Sequence, residues 1–368
     1  MKLSVIILNY NVRYFLELCL RSVEAAITDI DSEIIVIDND SSDNSCEMVM
    51  DLFPNVKLIE NKENSGFSKG NNLAVKEANG EYLCILNPDT VVSEDTFKKL
   101  LDFSEEKENL GIVGCQLIDG RGKFLPESKR NIPYPKVAFK KMIGKSNDYY
   151  ASHIQSDTSG KVEVLVGAFM FVKKAVYDAV GGFDEDYFMY GEDIDLSYKV
   201  LKAGYDNYYF GETTIIHFKG ESTLKDANYA KRFYGAMQIF YEKHFKQNLV
   251  FNLLVSLAIQ FVQRLKSVSN EEKILTDEVF LYSKDKIEGL QRHFRSSIQH
   301  YSEVKSNMKP FSIHIFNLND FEIKAVIHDM KIKAKQDNIL FRFLPKNANF
   351  ILGSDSSVSR GEVQSILE

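Results

Sequence analysis

Three places in this chain put ionisable side chains where chemistry could use them. Glu192-Asp193 open the segment YGEDIDLSYKVLKAGY, in which Leu196, Val200 and Leu201 fall on one face of a helix. Both acids would then lie in the first turn, where the helix dipole stabilises anions. A carboxylate there can act as a general base if it reaches the proton it removes, or it can merely cap the helix. Asp89 lies in CILNPDTVV, where an apolar run stops at Asn87-Pro88-Asp89. Metal-and-phosphate sites at such strand ends usually present two carboxylates, and Pro88 stands where the second would be. Asp89 is therefore a metal ligand short of a partner, or a turn residue. His217 ends an apolar strand and is followed by Lys219, Gly220 and Ser222. It is a hydrogen-bonded structural histidine unless it meets a second ligand in space. Imidazole, carboxylate and phosphate oxygens together would suit Mn²⁺ or Mg²⁺.

The elements around these residues can be read from periodicity. LSVIIL is a continuous β-branched run, as expected of a strand buried on both faces. Phe15, Leu16, Cys19, Leu20 and Val23 then recur at helical spacing. EIIVIDND and VKLIEN repeat the strand pattern, with a helix through 48–52 between them that Ser42 or Asp43 can cap. The loop NSGFSKGNN and the helix LAVKEAN lead to a fourth strand, GEYLCILNPD. This alternation predicts a doubly wound, mostly parallel sheet. Ligands bind such sheets at the carboxyl ends of the strands. Asn9-Tyr10-Asn11, Asp38-Asn39-Asp40 and Asp89 all fall there. Residues 120–160 are irregular, with Pro126, Pro133 and Pro135 among many Tyr, Lys and Asn, which suits a long functional loop or a lid. VEVLVGAFMFVKKAVYDAVGG, the strand TTIIHF and a helical segment to about 245 complete the unit.

Composition narrows the function. A net charge of −7 with dispersed basic residues argues against nucleic-acid binding. No GxGxxG follows the first strand and no GxxxxGK[ST] occurs, which disfavours Rossmann dehydrogenases and P-loop enzymes. Gly66 and Gly70 in NSGFSKGNN would let backbone approach a nucleotide closely, although a plain strand-to-helix turn has the same appearance. Cys19, Cys46, Cys84 and Cys115 form no CxxC pair, and Cys84 and Cys115 lie in apolar runs, as in a reducing cytoplasm. The opening MKLSVIILNYN is too short in its apolar run for a signal peptide. No apolar stretch of about 18 residues marks a transmembrane span. The expected location is cytoplasmic.

In order along the chain stand LSVII-x-NYN, N-x-GF-x-x-GNN, NPDT, GGFDE, GEDIDL and H-x-x-G-x-S, with an acid-rich second strand end between the first two. Over residues 1–245 this series resembles the family 2 inverting glycosyltransferases of GT-A fold, in particular their bacterial rhamnosyltransferase-like branch. The resemblance implies a nucleoside-diphosphate sugar donor, with Asn9, Tyr10, Asp38, Asn39 and Asp40 holding base and ribose and Gly66 and Asn71 on the same side. It places Asp89 at the position of the metal-binding DxD motif and gives His217 to the Mn²⁺ or Mg²⁺ ion or the diphosphate. Lys219 and Ser222 would add hydrogen bonds to the diphosphate. Glu192-Asp193 match the acidic pair of which the second is the catalytic base. Lys199, the Lys173-Lys174 pair and Gly211 depart from the family's usual arginines and proline. A sugar nucleotidyltransferase is the alternative enzyme, but it needs a glycine-rich basic loop where this chain has LNYNVRYF. The remaining alternative is a non-catalytic nucleotide-sugar-binding module.

The expected organisation is an α/β GT-A catalytic domain over 1–245, an amphipathic helical linker over 246–275 and a small α/β unit over 276–368. Asn252, Ser256 and Gln260 form a polar stripe on the apolar helix 249–262. This helix is a core or dimer helix, or a peripheral contact with the inner face of the cell membrane. Membrane contact would suit a glycan acceptor linked to polyprenyl diphosphate. The tail reads as a strand-like VFLYS, a helix through Ile298, and the runs FSIHIF, ILFRFL and NFILGSD; it would bind a partner, position the acceptor or mediate homo-oligomerisation.

Overall fold

The computed structural model describes residues 1–142, 144–221, 229–245, 276–304, 309–336, 338–356 and 359–367. The helix expected at 249–262 and the linker around it lie outside these residues. Strands and helices alternate as β1 (Leu3–Asn9), α1 (Arg13–Ala26), β2 (Ser32–Asp38), α2 (Ser45–Leu52), β3 (Lys57–Glu60), α3 (Gly66–Lys76) and β4 (Tyr82–Leu86). β5 (Thr90–Val91), α4 (Thr96–Glu105), β6 (Leu110–Ile118), α5 (Pro135–Met142) and β7 (Gly160–Lys161) follow. Then come β8 (Phe169–Lys173), α6 (Lys174–Ala179), α7 (Glu192–Lys202), β9 (Asp206–His217) and α8 (Tyr229–His244).

These strands form one sheet in the order β3-β2-β1-β4-β8-β6-β9-β5, with β7 on β9. The β3-β2-β1-β4 half is parallel. β8 enters antiparallel between β4 and β6, and β6 pairs parallel with β9. Burial explains the composition. Val5 and Ile7 of β1 face one apolar layer with Leu16, Cys19, Leu20 and Val23 of α1, and Ile6 faces the other with Ala74 and Val75 of α3. A strand covered on both faces has no polar side to alternate with, so it reads as an unbroken apolar run. Cys84 and Cys115 are core residues, and burial pushes both thiols up.

Two local details differ from the sequence reading. α2 starts at Ser45 after Asn44 in the left-handed region, and Asp43 Oδ1 accepts from the Ser45 hydroxyl at 2.5 Å. The tail carries no helix up to residue 298. Gly289 at φ +79° breaks the chain direction, only a 3-10 turn at Leu290–His293 follows, and Ile298 begins a strand.

The tail builds a second sheet from β10 (Glu278–Tyr282), β11 (Ile298–Tyr301), β12 (Ser312–Asn317), β13 (Ile339–Leu344), β14 (Phe350–Gly353) and β15 (Glu362–Ser365), with α9 (Ile323–Lys333) between β12 and β13. Its order is β11-β10-β12-β13-β14-β15, parallel as far as β13. This unit shares a continuous apolar core with the first: Phe15, Val91 and Phe218 pack with Phe316, Val326, Met330 and Phe343. Polar contacts register the two. Glu94 accepts from the N–H groups of Ile323 and Lys324 at the start of α9, and Asp95 pairs with Lys324 at 2.5 Å.

Candidate active site

The carboxyl ends of β1, β2 and β4, the start of α7 and the segment after β6 enclose a cavity of about 440 Å³. Tyr10, Asn39, Gly66, Glu192, Asp193, His217 and Lys219 all border it. Asn9, Asp38, Asp40, Asn71 and Asp89 do not, and Ser222 lies outside the described residues. Asn9 and Asp38 are buried and bonded to each other, Asn9 Nδ2 donating to Asp38 Oδ2 at 2.7 Å. Asp38 Oδ1 accepts from the Ser41 N–H at 2.8 Å, so the pair shapes the loop beneath Tyr10 and Asn39. Asp40 is exposed, in the left-handed region at φ 66°. Asn71 is fully buried and donates back along its helix to the Phe67 carbonyl.

Gly66 opens α3 at φ +80°, and a Cβ there would sit 2.5 Å from the Phe188 carbonyl oxygen. The absence of a side chain lets the Phe67 N–H reach that carbonyl at 2.7 Å. The loop before α7 is thereby locked to α3. Tyr190 and Gly191 both take positive φ, turning the chain sharply so that Glu192 and Asp193 enter the cavity wall. Sequence patterning predicts this helix start, and the structure adds that both acids are buried.

The two acids differ in surroundings. Asp193 Oδ2 accepts from Arg130 Nη2 at 2.5 Å and from the Gly167 N–H at 3.2 Å, and its Oδ1 accepts from the Ile194 N–H at 2.8 Å. Glu192 Oε2 has no hydrogen-bond partner. Burial, and then the charge of Asp193, push the Glu192 carboxyl up to about 8.

On the opposite side His217 borders the cavity, and Asp89 Oδ1 lies 3.4 Å from its Nε2. The buried atoms Asp89 Oδ1 and His217 Nδ1 have no hydrogen-bond partner. Buried polar atoms left unmade are costly, so a carboxylate and an imidazole in this state fit a hard divalent cation completed by phosphate oxygens. Among the described residues no group of three or more His, Cys, Asp or Glu side chains is arranged to hold a metal. Lys219 pairs with Glu127 at 2.5 Å. Burial pushes Glu127 up, but Lys219 more than offsets this and leaves it below the usual carboxylate range.

Sequence reasoning does not name Glu127, Arg130, Lys141, Tyr149 or Tyr150, all of which border the cavity from the segment between β6 and β7. The signal is compositional, a proline-punctuated run too long for a plain connection. Nothing in ESKRNIP separates Arg130 from a solvated cation.

The family model described as Glycosyl transferase family 2 matches residues 4–181. N-acetylglucosaminyl-diphospho-decaprenol L-rhamnosyltransferase of Mycobacterium tuberculosis is 25% identical over 241 residues, covering 61% of this chain and 78% of that protein. Rhamnosyltransferase WbbL of Escherichia coli is 32% identical over 163 residues, covering 42% of this chain and 61% of that one. Among solved structures, the mannosyltransferase PcManGT from Pyrobaculum calidifontis in complex with GDP-Man and Mn²⁺ superposes with a TM-score of 0.47 at 17% identity, over 72% of this chain and 70% of the other. A sheet of this order, an acidic pair at its carboxyl edge and the matched family model converge: residues 4–181 match glycosyl transferase family 2, and the chain is a glycosyltransferase similar to rhamnosyltransferases.

Proposed function

We propose that this protein is an inverting glycosyltransferase that moves a sugar from a nucleoside-diphosphate donor to a hydroxyl of a glycan acceptor in cell-surface polysaccharide synthesis. The observation that carries this reading is Asp193, a buried carboxylate at the cavity wall, fixed by N–H donors from Arg130, Gly167 and Ile194. Asp193 takes the proton of the acceptor hydroxyl as its oxygen attacks the anomeric carbon. The bond from that carbon to the diphosphate oxygen breaks on the opposite face, so the configuration inverts and nucleoside diphosphate leaves. Tyr10, Asn39 and Gly66 line the part of the cavity that takes the nucleoside, over the loop that Asn9 and Asp38 hold. Lys219, at the other end, faces the leaving diphosphate with its charge. Asp89 and His217 would hold the cation, Mn²⁺ or Mg²⁺, which when bound neutralises charge on the leaving group.

The M. tuberculosis relative acts, by its name, on an acceptor linked to decaprenyl diphosphate. A polyprenyl-diphosphate-linked glycan is the acceptor proposed here, reached by peripheral contact with a membrane. Among the described residues no helix is long and apolar enough to cross one. Liposome flotation with and without residues 249–262 tests the contact, and recovery in the soluble fraction both times would refute it.

The deciding experiment is a panel of UDP-, GDP- and dTDP-hexoses incubated with Mn²⁺. Release of nucleoside diphosphate is expected from one of them. Pyrophosphate would instead indicate nucleotidyl transfer, and donor binding without turnover a non-catalytic module.

A further inference from the structure

Arg130 has no role in the reaction as described so far, yet its backbone and its guanidinium are both held by hydrogen bonds. Its backbone exchanges hydrogen bonds with Val164 in both directions at 3.0 Å. Its guanidinium is buried, with Nη2 donating to the Leu165 carbonyl at 2.8 Å as well as to Asp193, and Nη1 to the Tyr149 hydroxyl at 3.4 Å. The group is thus held from both ends before it reaches Asp193. A carboxylate offers about four acceptor sites. Arg130 and Gly167 occupy both on Oδ2, and Ile194 occupies one on Oδ1. One site on Oδ1 is left.

We propose that Arg130 is the positioning residue of the catalytic base, using up Asp193 Oδ2 so that a single Oδ1 lone pair is presented to the acceptor hydroxyl. This rests on the reading of Asp193 as base. The choice of Arg follows from geometry: a planar fork can serve Leu165, Tyr149 and Asp193 at once, which a lysine cannot. Proton transfer tolerates little misplacement, and a shift of about 1 Å in a reacting group costs on the order of 10²-fold in rate.

The electrical surroundings define the pH signature. Glu192 and Asp195 face the pair from α7, Asp195 being held by His244 at 2.5 Å and Lys199 at 3.4 Å. Tyr149, Tyr150 and Lys141 face it from the segment between β6 and β7, with Lys141 stacked over the Tyr149 ring at 3.3 Å. His217 and Lys219 close the far side. Arg130 is the cation in contact with Asp193. Removing it favours the neutral carboxyl forms, so the base form is lost at a higher pH.

The test follows nucleoside diphosphate release from whichever UDP-, GDP- or dTDP-hexose the wild type turns over, as a function of pH, in Arg130→Lys, Arg130→Met and Asp193→Asn. Arg130→Lys is expected to lower kcat about 10²-fold with donor KM nearly unchanged, and Arg130→Met to move the acidic limb of the kcat profile to higher pH. Wild-type kcat and acidic limb in both Arg130 variants would overturn the inference. So would a loss confined to donor KM, which would assign Arg130 to the diphosphate. If Arg130→Met fails to fold, Arg130→Lys decides by the same split between kcat and KM. Turnover surviving in Asp193→Asn would instead remove the base reading itself. An inactive Asp193→Asn beside unaffected Arg130 variants would remove only the positioning role.

Discussion

Glu192 and Asp193 are neighbours in sequence and opposites in chemistry. Asp193 gathers a guanidinium and backbone N–H groups, while Glu192 is buried with one oxygen unpartnered, and burial pushes its carboxyl up. General-base contributions are typically about 10²–10⁴-fold, so Asp193→Asn should lower transfer by that order while leaving donor binding intact. Isothermal titration with the donor, beside product assay, separates the two effects. At the proposed cation pair, Asp89→Ala should weaken nucleotide binding in Mn²⁺ but not in chelator. Equal wild-type affinity in both conditions would contradict a metal site at Asp89 and His217.

At the scale of elements, the cavity depends on a clamp between α3 and the loop before α7. Gly66 combines φ +80° with a carbonyl oxygen 2.5 Å from where a Cβ would be. Ala there must strain the backbone and push Phe188 away. Gly66→Ala should cost about 1–3 kcal/mol, read from the urea midpoint, and should disturb kcat because the displaced loop carries Glu192 and Asp193. An unchanged midpoint would show that the clamp relaxes freely. The element that sequence reading passes over is α9. Ile323, Val326, Ile327 and Met330 are buried at helical spacing, so its pattern is present in the sequence. Its cap is not, because Glu94, which accepts from its first N–H groups, lies some 230 residues earlier.

For the whole molecule, the second sheet is a structural part of the first unit's wall. Phe218 follows directly on His217 and packs edge-on to Phe343 at 5.7 Å and to Phe15 at 5.0 Å. Phe343→Ala should cost about 3–5 kcal/mol, and a chain ended at residue 245 should expose Phe15, Val91 and Phe218 and self-associate in light scattering. Glu221 bonds the Gly361 N–H at 2.7 Å across the same interface. Burial, and then the charge of Asp89, push its carboxyl up to about 8. A native value above the unfolded one of about 4.3 means the stabilisation is full below about pH 4.3 and is lost as pH rises towards 8. Glu221→Gln should therefore flatten the fall of Tm over that window, which at most amounts to about 1.4 kcal/mol per pH unit. A Tm profile parallel to the wild type would refute the assignment.

What the sequence determined by itself is local in origin. Unbroken β-branched runs impose strands buried on both faces, apolar residues at helical spacing impose α1 and α7, and the order of short motifs carries the resemblance to glycosyl transferase family 2. Asp193 and His217 were legible because each sits at the end of a patterned element. The tertiary structure decided the rest. It put Tyr10 and Asn39 on the cavity surface while Asn9 and Asp38 bond beneath them. It gave Asp193 a partner, Arg130, from an irregular segment 63 residues away. It also packed a second sheet against Phe15, Val91 and Phe218 of the first unit. These outcomes depend on which groups lose water together, and spacing along a chain does not encode that.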